Sequence, residues 1–255
     1  MSGAPVSVNA AVEVRPVRTA RDRRLFLTFP WRVYRDDPLW VPPLLSTHRA
    51  MIDPRRGSFF NHGTADFFIA WRGGRPVGTI AAGEDTAVTS KQAAGAKEGV
   101  WGFFECFDDY AVASALLERA REWCRARNLV RMAGPYFLER EDCYGILVEG
   151  RDRPPVLLCG HTPTYYQAFV ERFGGVPDPM ESLAFEARVD EDSKEWEKVE
   201  RMADRIRKRG WITIRTPTRK RWRDEIPVVK ELLDKALAHL PNAMPWQPET
   251  VEALM

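Results

Sequence analysis

Apolar residues recur at helical spacing in the middle of the chain, between two apolar runs. The run GVWGFFECF, residues 99–107, predicts a buried strand, and LVRMAGP, residues 129–135, predicts a second one. Between them, an aspartate at 108 or 109 can cap a helix that Asn128 can end. One face of this helix is apolar and carries Val112, Leu116, Ala120, Trp123 and Cys124. Two apolar strands joined by a packed helix form a βαβ unit, whose crossover favours parallel neighbours.

The residues before this unit predict a strand, a helix and a hairpin. Alternating valines around residues 12–17 predict a short strand, and Thr19 with Asp22 is typical of a helix start. Residues 35–63 are rich in proline and aromatic residues without a period, which is typical of a functional loop or of short helices. Alternating residues at 66–85 around a Gly-Gly turn predict a hairpin. The small polar residues 86–98 predict a mobile loop.

The residues after the unit predict further helices and strands. Thr162 and Pro163 are typical of a helix start, and Gly174 ends the apolar period that follows. Residues 182–189 alternate as in a strand, and a charged helix is expected up to about Arg209. We then expect a strand at 211–217, a helix at 225–240 and the start of another helix. These last elements cannot bury a core alone, so they either pack on the first domain or belong to a longer protein.

Composition excludes several classes of protein. The chain has 255 residues, of which 44% are hydrophobic and 29% charged, as in a globular protein. Thirty-eight basic and 36 acidic residues give a formal charge of +2, so we expect no nucleic-acid partner. Cysteines at 106, 124, 143 and 159 form no CxxC pair, which favours reduced, buried thiols and no metal site. Since no apolar run is long enough to span a bilayer and no secretion signal is recognisable, we expect a cytoplasmic protein.

Several strings in a fixed order resemble a known group of proteins. They are DPLWVPPL, FFIAWRGGRPVGTI, GFFECFDD, the Gly134-Pro135 pair, GILVEGRDRPP and HTPTYYQAFVERFGG. Together they resemble the YghO-like group of the GNAT acyl-CoA N-acyltransferase superfamily, which includes bacterial ceramide synthase-like acyltransferases. The resemblance covers about residues 12–189 and implies an α/β fold, with a GNAT-like mixed sheet flanked by helices. It further implies a GNAT-like domain at 1–189, a charged linker helix at 190–209, and an incomplete second GNAT-like half at 210–255.

The resemblance implies an N-acyltransferase that moves an acyl group from acetyl-CoA or a longer acyl-CoA to a small-molecule or lipid amine. In such a fold the thioester arm lies along the strand at 101–106, and the pyrophosphate lies at the start of the next helix. The residues that would bind the cofactor are Phe103, Phe104, Cys106, Asp109, Tyr110 and Ala111. The usual glycine-rich basic turn is replaced by acidic residues, which would repel a pyrophosphate and are also good helix caps. The cations must then come from elsewhere, or the donor is another thioester such as an acyl-carrier protein.

Three side chains are candidates for acid–base chemistry. Glu105 shares a face of its strand with Trp101 and Phe103, so an apolar setting can raise its pKa and make it a base. The alternative is a paired glutamate without a catalytic role. The resemblance implies a tyrosine that gives a proton to the departing thiolate, and Tyr165 or Tyr166 is placed for this. Packing in the core is the alternative for either tyrosine.

Other polar residues allow both a functional and a structural interpretation. His161 can titrate near neutrality or be a structural loop residue. Glu139, Glu141 and Asp142 can hold an amine or lie in a solvated loop. The basic residues within 205–209 and 219–223 can contact anionic lipid headgroups or form a solvated helix face.

Two hypotheses compete with the enzyme. One is a degenerate GNAT-like binding or scaffold protein without CoA-dependent catalysis, which the acidic turn at residues 108–109 suggests. The other is an interaction module whose second half pairs with another chain, including a homo-oligomer.

Overall fold

The computed structural model describes residues 10–90, 92, 94–139, 145–156, 159–179, 181–186, 194–210, 215–216, 218–239, 246, 248 and 251–252. The chain divides into two units, Met1–Pro179 and Met180–Met255. Each unit is described by itself, and the domain boundaries expected from the sequence stay a prediction.

The first unit contains one five-stranded sheet whose strands lie in the order of the sequence. The strands are β1 (Glu13–Pro16), β2 (Gly63–Arg72), β3 (Arg75–Asp85), β4 (Glu98–Cys106) and β5 (Arg131–Tyr136). Strands β1 to β4 pair antiparallel, whereas β4 and β5 are parallel. The hairpin and the parallel βαβ unit expected from the sequence are therefore confirmed.

Helices cover both faces of this sheet. They are α1 (Ala20–Thr28), α2 (Pro30–Val33), α3 (Leu45–Met51), α4 (Thr86–Thr89), α5 (Tyr110–Arg125) and α6 (Tyr165–Phe173), with 3-10 turns at Ser58–Asn61 and Ala94–Ala96. Alternate residues of β2 and β3 point to opposite faces: Phe68 and Ile80 pack with α5 and α6, while Ile69 and Ala81 pack with α1. The fold is the expected mixed α/β sheet flanked by helices.

Two of the three helix starts predicted in the first unit are confirmed. Thr19 and Asp22 form a capping box at α1, and Asp109 caps α5 by accepting from the N–H of Ala111 over 3.0 Å. The predicted start of α6 at Thr162 is wrong. The Thr162 hydroxyl accepts the N–H of Leu147 over 3.0 Å, so it is engaged by a neighbouring segment and the helix begins only at Tyr165.

The segment expected to be a mobile loop, residues 86–98, is partly ordered. The prediction is wrong for α4, because the Asp85 carboxylate accepts from the N–H groups of Ala87 and Val88 and starts a helical turn. Val88 and Thr89 are buried. In the proline-rich segment 35–63, the alternative of short helices is confirmed by α3 and the turn at Ser58–Asn61.

Strands β4 and β5 separate before β4 ends. Their pairing runs from Glu98 opposite Arg131 to Gly102 opposite Tyr136, with an irregularity just before Gly102. Phe103 follows with a φ of 44°, which is unusual for a residue with a side chain. Its carbonyl accepts the buried Thr79 hydroxyl over 3.0 Å. The last residues of β4 therefore have no β5 partner.

The second unit is described through two helices, α7 (Lys194–Lys208) and α8 (Trp222–Leu237), and a 3-10 turn at Arg219–Arg221. The charged helix expected before Arg209 is confirmed. The strand expected at 182–189 is wrong for residues 182–186, which have an irregular backbone and are exposed to solvent. Residues 187–189 and most of the expected strand at 211–217 lie outside the described residues.

Candidate active site

Helix α6 takes the place of the missing strand partner at the end of β4. The hydroxyl of Tyr165 donates to the carbonyl of Cys106 over 2.9 Å, and the N–H of Cys106 donates to the hydroxyl of Tyr166 over 2.8 Å. The ring of Tyr166 also packs edge-on against Phe104, with centroids 4.9 Å apart. Tyr165 and Tyr166 thus hydrogen-bond both backbone polar groups of Cys106, a residue that lies beyond the part of β4 paired with β5.

Glu105 lies at the centre of this arrangement. The hydroxyl of Tyr166 donates to its carboxylate over 2.9 Å. Burial raises the pKa of Glu105 to about 8, and hydrogen bonding to Tyr166 and Tyr34 offsets part of that effect. The carboxyl group therefore exchanges its proton near neutral pH, which is the property that a general base needs.

Tyr34 belongs to this site and was missed by sequence reasoning. It follows α2, is buried, and its ring stacks on Trp40 with centroids 4.9 Å apart. Its hydroxyl donates to the carbonyl of His161 over 3.0 Å and also hydrogen-bonds the carboxyl of Glu105. Because a hydroxyl has one proton, Tyr34 can give it to only one of the two acceptors at a time. No spacing in the sequence marks this tyrosine.

His161 occupies a structural position beside Tyr34. Its Nε2 lies 2.6 Å from the carboxylate of Asp37, and its side chain is almost entirely buried. The pair joins the loop before α6 to the loop after α2. This geometry agrees with the structural interpretation of His161.

The two tyrosines differ in access. Tyr166 is 1% exposed, and its hydroxyl is hydrogen-bonded to both the Cys106 N–H and the Glu105 carboxylate. Tyr165 is only half-buried. Burial raises the pKa of both hydroxyls, so both are protonated at neutral pH. Of the two, Tyr165 is the one that a departing group can reach.

The residues expected to bind the cofactor lie along one path. Phe103, Phe104 and Cys106 are buried in β4, with Phe103 facing α1 and Phe104 facing α5 and α6. Tyr110 and Ala111 form the first turn of α5, behind the capping Asp109. Burial raises the pKa of the Cys106 thiol well above its usual value, which keeps it protonated. The structure brings these residues together, and their roles stay a prediction.

The remaining polar candidates differ in burial and in the groups that they contact. Glu139 is buried and accepts the hydroxyl of Ser58 over 2.7 Å, while Glu141 and Asp142 lie outside the described residues. Arg207 and Arg221 of the basic runs pair with carboxylates on their own helical turns. Within the described part of the chain, no cluster of three His, Cys, Asp or Glu side chains is placed to hold a metal. Nor is any described helix both long and apolar enough to cross a bilayer.

Two curated proteins are similar to this chain over most of its length. It is 33% identical over 233 residues to the bacterial ceramide synthase of Caulobacter vibrioides, a match of 90% of this chain and 59% of that protein. It is 27% identical over 226 residues to Protein YghO of Escherichia coli, a match of 89% of this chain and 56% of YghO. The chain thus spans little more than half the length of these relatives. No protein-family model matches it.

Solved structures that resemble the chain are acetyltransferases. Glucosamine-6-phosphate N-acetyltransferase of Arabidopsis thaliana has a TM-score of 0.40 and 8% identity, over 69% of this chain and 98% of that one. A GCN5-related N-acetyltransferase of Ralstonia eutropha has a TM-score of 0.38 and 16% identity, over 69% and 99%. By sequence, the chain is similar to the bacterial ceramide synthase of Caulobacter vibrioides and to Protein YghO, and its first unit has a mixed α/β sheet.

Proposed function

We propose that this protein is an N-acyltransferase that moves an acyl group from acyl-CoA to an amine. The observation that carries the proposal is the partly buried carboxyl of Glu105. Desolvation raises its pKa to about 8, and it lies on β4 beyond the residues that pair with β5. An amine must lose a proton before it attacks a thioester, and an acceptor poised near neutral pH serves that purpose best.

The reaction assigns one step to each side chain. Glu105 takes a proton from the substrate ammonium, the nitrogen attacks the thioester carbonyl, and the new C–N bond forms as the C–S bond breaks. The departing thiolate takes a proton from Tyr165, whose hydroxyl is the accessible one of the pair. The nitrogen, now part of the amide, loses its second proton to the Tyr165 oxygen, which restores the hydroxyl. Tyr166 and Tyr34 hold the Glu105 carboxyl in place through hydrogen bonds.

The backbone of β4 beyond Gly102 is the proposed path of the thioester arm, with Phe103, Phe104 and Cys106 beside it and Asp109, Tyr110 and Ala111 at its end. The name of the relative bacterial ceramide synthase supports a lipid amine as acceptor and a long acyl chain on the donor. A cytoplasmic location, peripheral membrane contact through the basic runs, and a homo-oligomer remain further proposals.

Thiol release measures this activity directly. The 255-residue chain is incubated with acetyl-CoA or a long-chain acyl-CoA and either a long-chain amino alcohol or a short soluble amine. Glu105→Gln is expected to lower kcat/KM by about 100-fold or more, and Tyr165→Phe by about 10-fold or more, as for lost acid–base groups. Glu122→Gln, an exposed change on α5, is the control. No thiol release above background from the wild-type chain, or an unchanged rate in Glu105→Gln, would overturn the proposal.

A second candidate is a GNAT-like binding or scaffold protein without CoA-dependent catalysis. The observation that favours it is Asp109, whose carboxylate occupies the first amides of α5, where a pyrophosphate would otherwise bind. Thermal unfolding with acetyl-CoA and with a long-chain acyl-CoA separates the two functions. Stabilisation by either thioester supports the enzyme, and none by both supports the binding protein.

A further inference from the structure

Positive charge is concentrated in one part of the first unit, residues 18–57. This stretch holds nine arginines and four aspartates, whereas the whole chain has 38 basic and 36 acidic residues. Acidic residues therefore outnumber basic ones in the rest of the chain. All nine arginines of the stretch are exposed.

These arginines have few counter-charges in the protein. None of the nine side chains forms an ion pair with a described residue. Three of the four carboxylates are engaged locally: Asp22 caps α1, and Asp53 accepts a backbone N–H over 3.0 Å. Asp37 lies 2.6 Å from Nε2 of His161. The stretch therefore presents positive charge to the solvent.

Helices α1 and α3, which carry part of this charge, are neighbours on one face of the sheet. Phe26 of α1 and Ile52 at the end of α3 are buried in the same cluster of core residues, and the two helices contact each other. Arg24 of α1 and Arg49 of α3 are exposed, so they lie on the outer side of this layer.

The loop between α2 and α3 adds apolar side chains to the basic layer. Val41 is 56% exposed and Leu44 is 74% exposed, and the two residues between them are prolines, which stiffen the loop. Exposed aliphatic side chains next to clustered cations are typical of a surface that binds an apolar medium bordered by anions. We call the arginines within residues 18–57, together with Val41 and Leu44, the α1–α3 surface.

We propose that the α1–α3 surface docks on a membrane that contains anionic phospholipids. Guanidinium groups bind headgroup phosphates in a bidentate manner, and a negatively charged leaflet attracts clustered cations. Val41 and Leu44 enter the boundary between the headgroups and the acyl chains, as apolar side chains do in interfacial segments. A nucleic acid matches the arginines equally well but leaves both aliphatic side chains in water.

The docking loop is connected to the candidate active site. Trp40 directly precedes Val41, and its ring stacks on Tyr34 with centroids 4.9 Å apart. Tyr34 in turn hydrogen-bonds the carboxyl of Glu105. A lipid amine in the bilayer then has a short route to this carboxyl, and in this respect the inference rests on the proposed function.

Sedimentation of the 255-residue chain with vesicles tests the docking. Vesicles of phosphatidylcholine that contain phosphatidylglycerol are compared with vesicles of phosphatidylcholine alone. We expect binding to the anionic vesicles only, and weaker binding as the salt concentration rises, because salt screens the interaction of exposed charges.

The arginines are tested by the double variant Arg24→Gln/Arg49→Gln, which removes two exposed cations of the surface. Its matched control is Arg125→Gln/Arg131→Gln, which removes two exposed cations of α5 and β5. We expect at least about a 10-fold weaker apparent Kd for anionic vesicles in the first variant and no change in the control, as for two lost headgroup contacts.

The apolar side chains are tested by Val41→Ser/Leu44→Ser. Serine is a favoured residue before a helix, so α3, which begins at Leu45, keeps its start. The matched control is Val130→Ser/Val176→Ser, whose valines are 58% and 88% exposed elsewhere in the first unit. We expect at least about a 10-fold weaker apparent Kd in the first variant and no change in the control, because only the first loses apolar surface buried in lipid.

Several results would overturn the proposal. They are no binding of the wild-type chain to anionic vesicles, or either surface variant binding as tightly as its control. Loss of binding in Arg205→Gln/Arg223→Gln alone would transfer the contact to the basic runs of the second unit. Binding of single-stranded RNA that is tighter than vesicle binding, and that Arg24→Gln/Arg49→Gln weakens, would identify a nucleic acid as the partner instead.

Failure of the proposed function looks different. Arginine-dependent vesicle binding without thiol release rejects the acyltransferase alone. Thiol release with a short soluble amine, together with no vesicle binding, rejects the docking alone.

Discussion

The hydroxyl of Tyr166 joins Glu105 to the backbone of Cys106: it donates to the carboxylate over 2.9 Å and accepts the N–H over 2.8 Å. Since Tyr166 is 1% exposed, no water replaces either bond. One side chain of α6 therefore holds both the end of β4 and the proposed catalytic carboxyl in position.

Replacing Tyr166 by phenylalanine should destabilise the protein. The ring can keep its place against Phe104, but the Cys106 N–H and the Glu105 carboxyl each lose a buried partner. We expect a loss of roughly 1–3 kcal/mol in the free energy of unfolding, measured by urea denaturation. Tyr110→Phe is the control, because the ring of Tyr110 packs on Phe169 while its hydroxyl makes no hydrogen bond to the described residues. Equal losses in the two variants would contradict the prediction.

Glu105→Gln should stabilise the protein at alkaline pH and not at acidic pH. The folded protein raises the pKa of this carboxyl from 4.5 to about 8, so between these values the folded state holds more protons than the unfolded one. The stability of the wild type therefore falls as pH rises across that window, by at most about 1.4 kcal/mol per pH unit. Glutamine has no such penalty and still accepts the Tyr166 proton.

Urea denaturation at pH 5 and pH 8 checks this. The difference in unfolding free energy between Glu105→Gln and wild type should grow in favour of the variant by a few kcal/mol, in proportion to the pKa shift. The exposed Glu122→Gln should show no such trend. A constant difference between variant and wild type at the two pH values would mean that Glu105 is not buried as a protonated group.

Tyr34→Phe should move the pH dependence of catalysis to higher pH. The Tyr34 hydroxyl lowers the pKa of Glu105 by hydrogen bonding, so without it the pKa rises above about 8. The rising limb of kcat/KM against pH should shift to the alkaline side, and the rate at a pH well above the new pKa should recover. A purely structural role would lower the rate at every pH without moving the limb.

Gly102→Ala should disrupt the point where β4 and β5 part. A Cβ at Gly102 would lie 1.5 Å from the carbonyl oxygen of Tyr136, so the two backbones would have to move apart. We expect a loss of more than about 2 kcal/mol in thermal or urea unfolding. Gly95→Ala is the matched control, since nothing lies within 4 Å of its added Cβ. A Gly102→Ala protein as stable as the Gly95→Ala protein would contradict the close approach.

The elements that the sequence predicted well are those defined by neighbours along the chain. The apolar stripe of α5, the Gly-Gly hairpin between β2 and β3, and the capping box of Thr19 and Asp22 each depend on residues a few positions apart. The start of α6 failed for the opposite reason. Thr162 has a good capping side chain, but Leu147, fifteen residues earlier, uses that hydroxyl instead.

For the site, the alternation of residues along a strand indicated Glu105, and the resemblance to a known group indicated the two adjacent tyrosines. It did not indicate that Tyr34 lies beside Glu105 or that Arg72 reaches Asp109. The contact between Tyr34 and His161 joins residues 127 positions apart, and no periodic pattern in the sequence predicts such a contact.

By itself the sequence determined the order of the strands and helices and the faces that they bury. Only the tertiary structure decided where β4 parts from β5 and which distant side chains fill the gap, because burial and unpaired backbone groups exist only once the chain has folded.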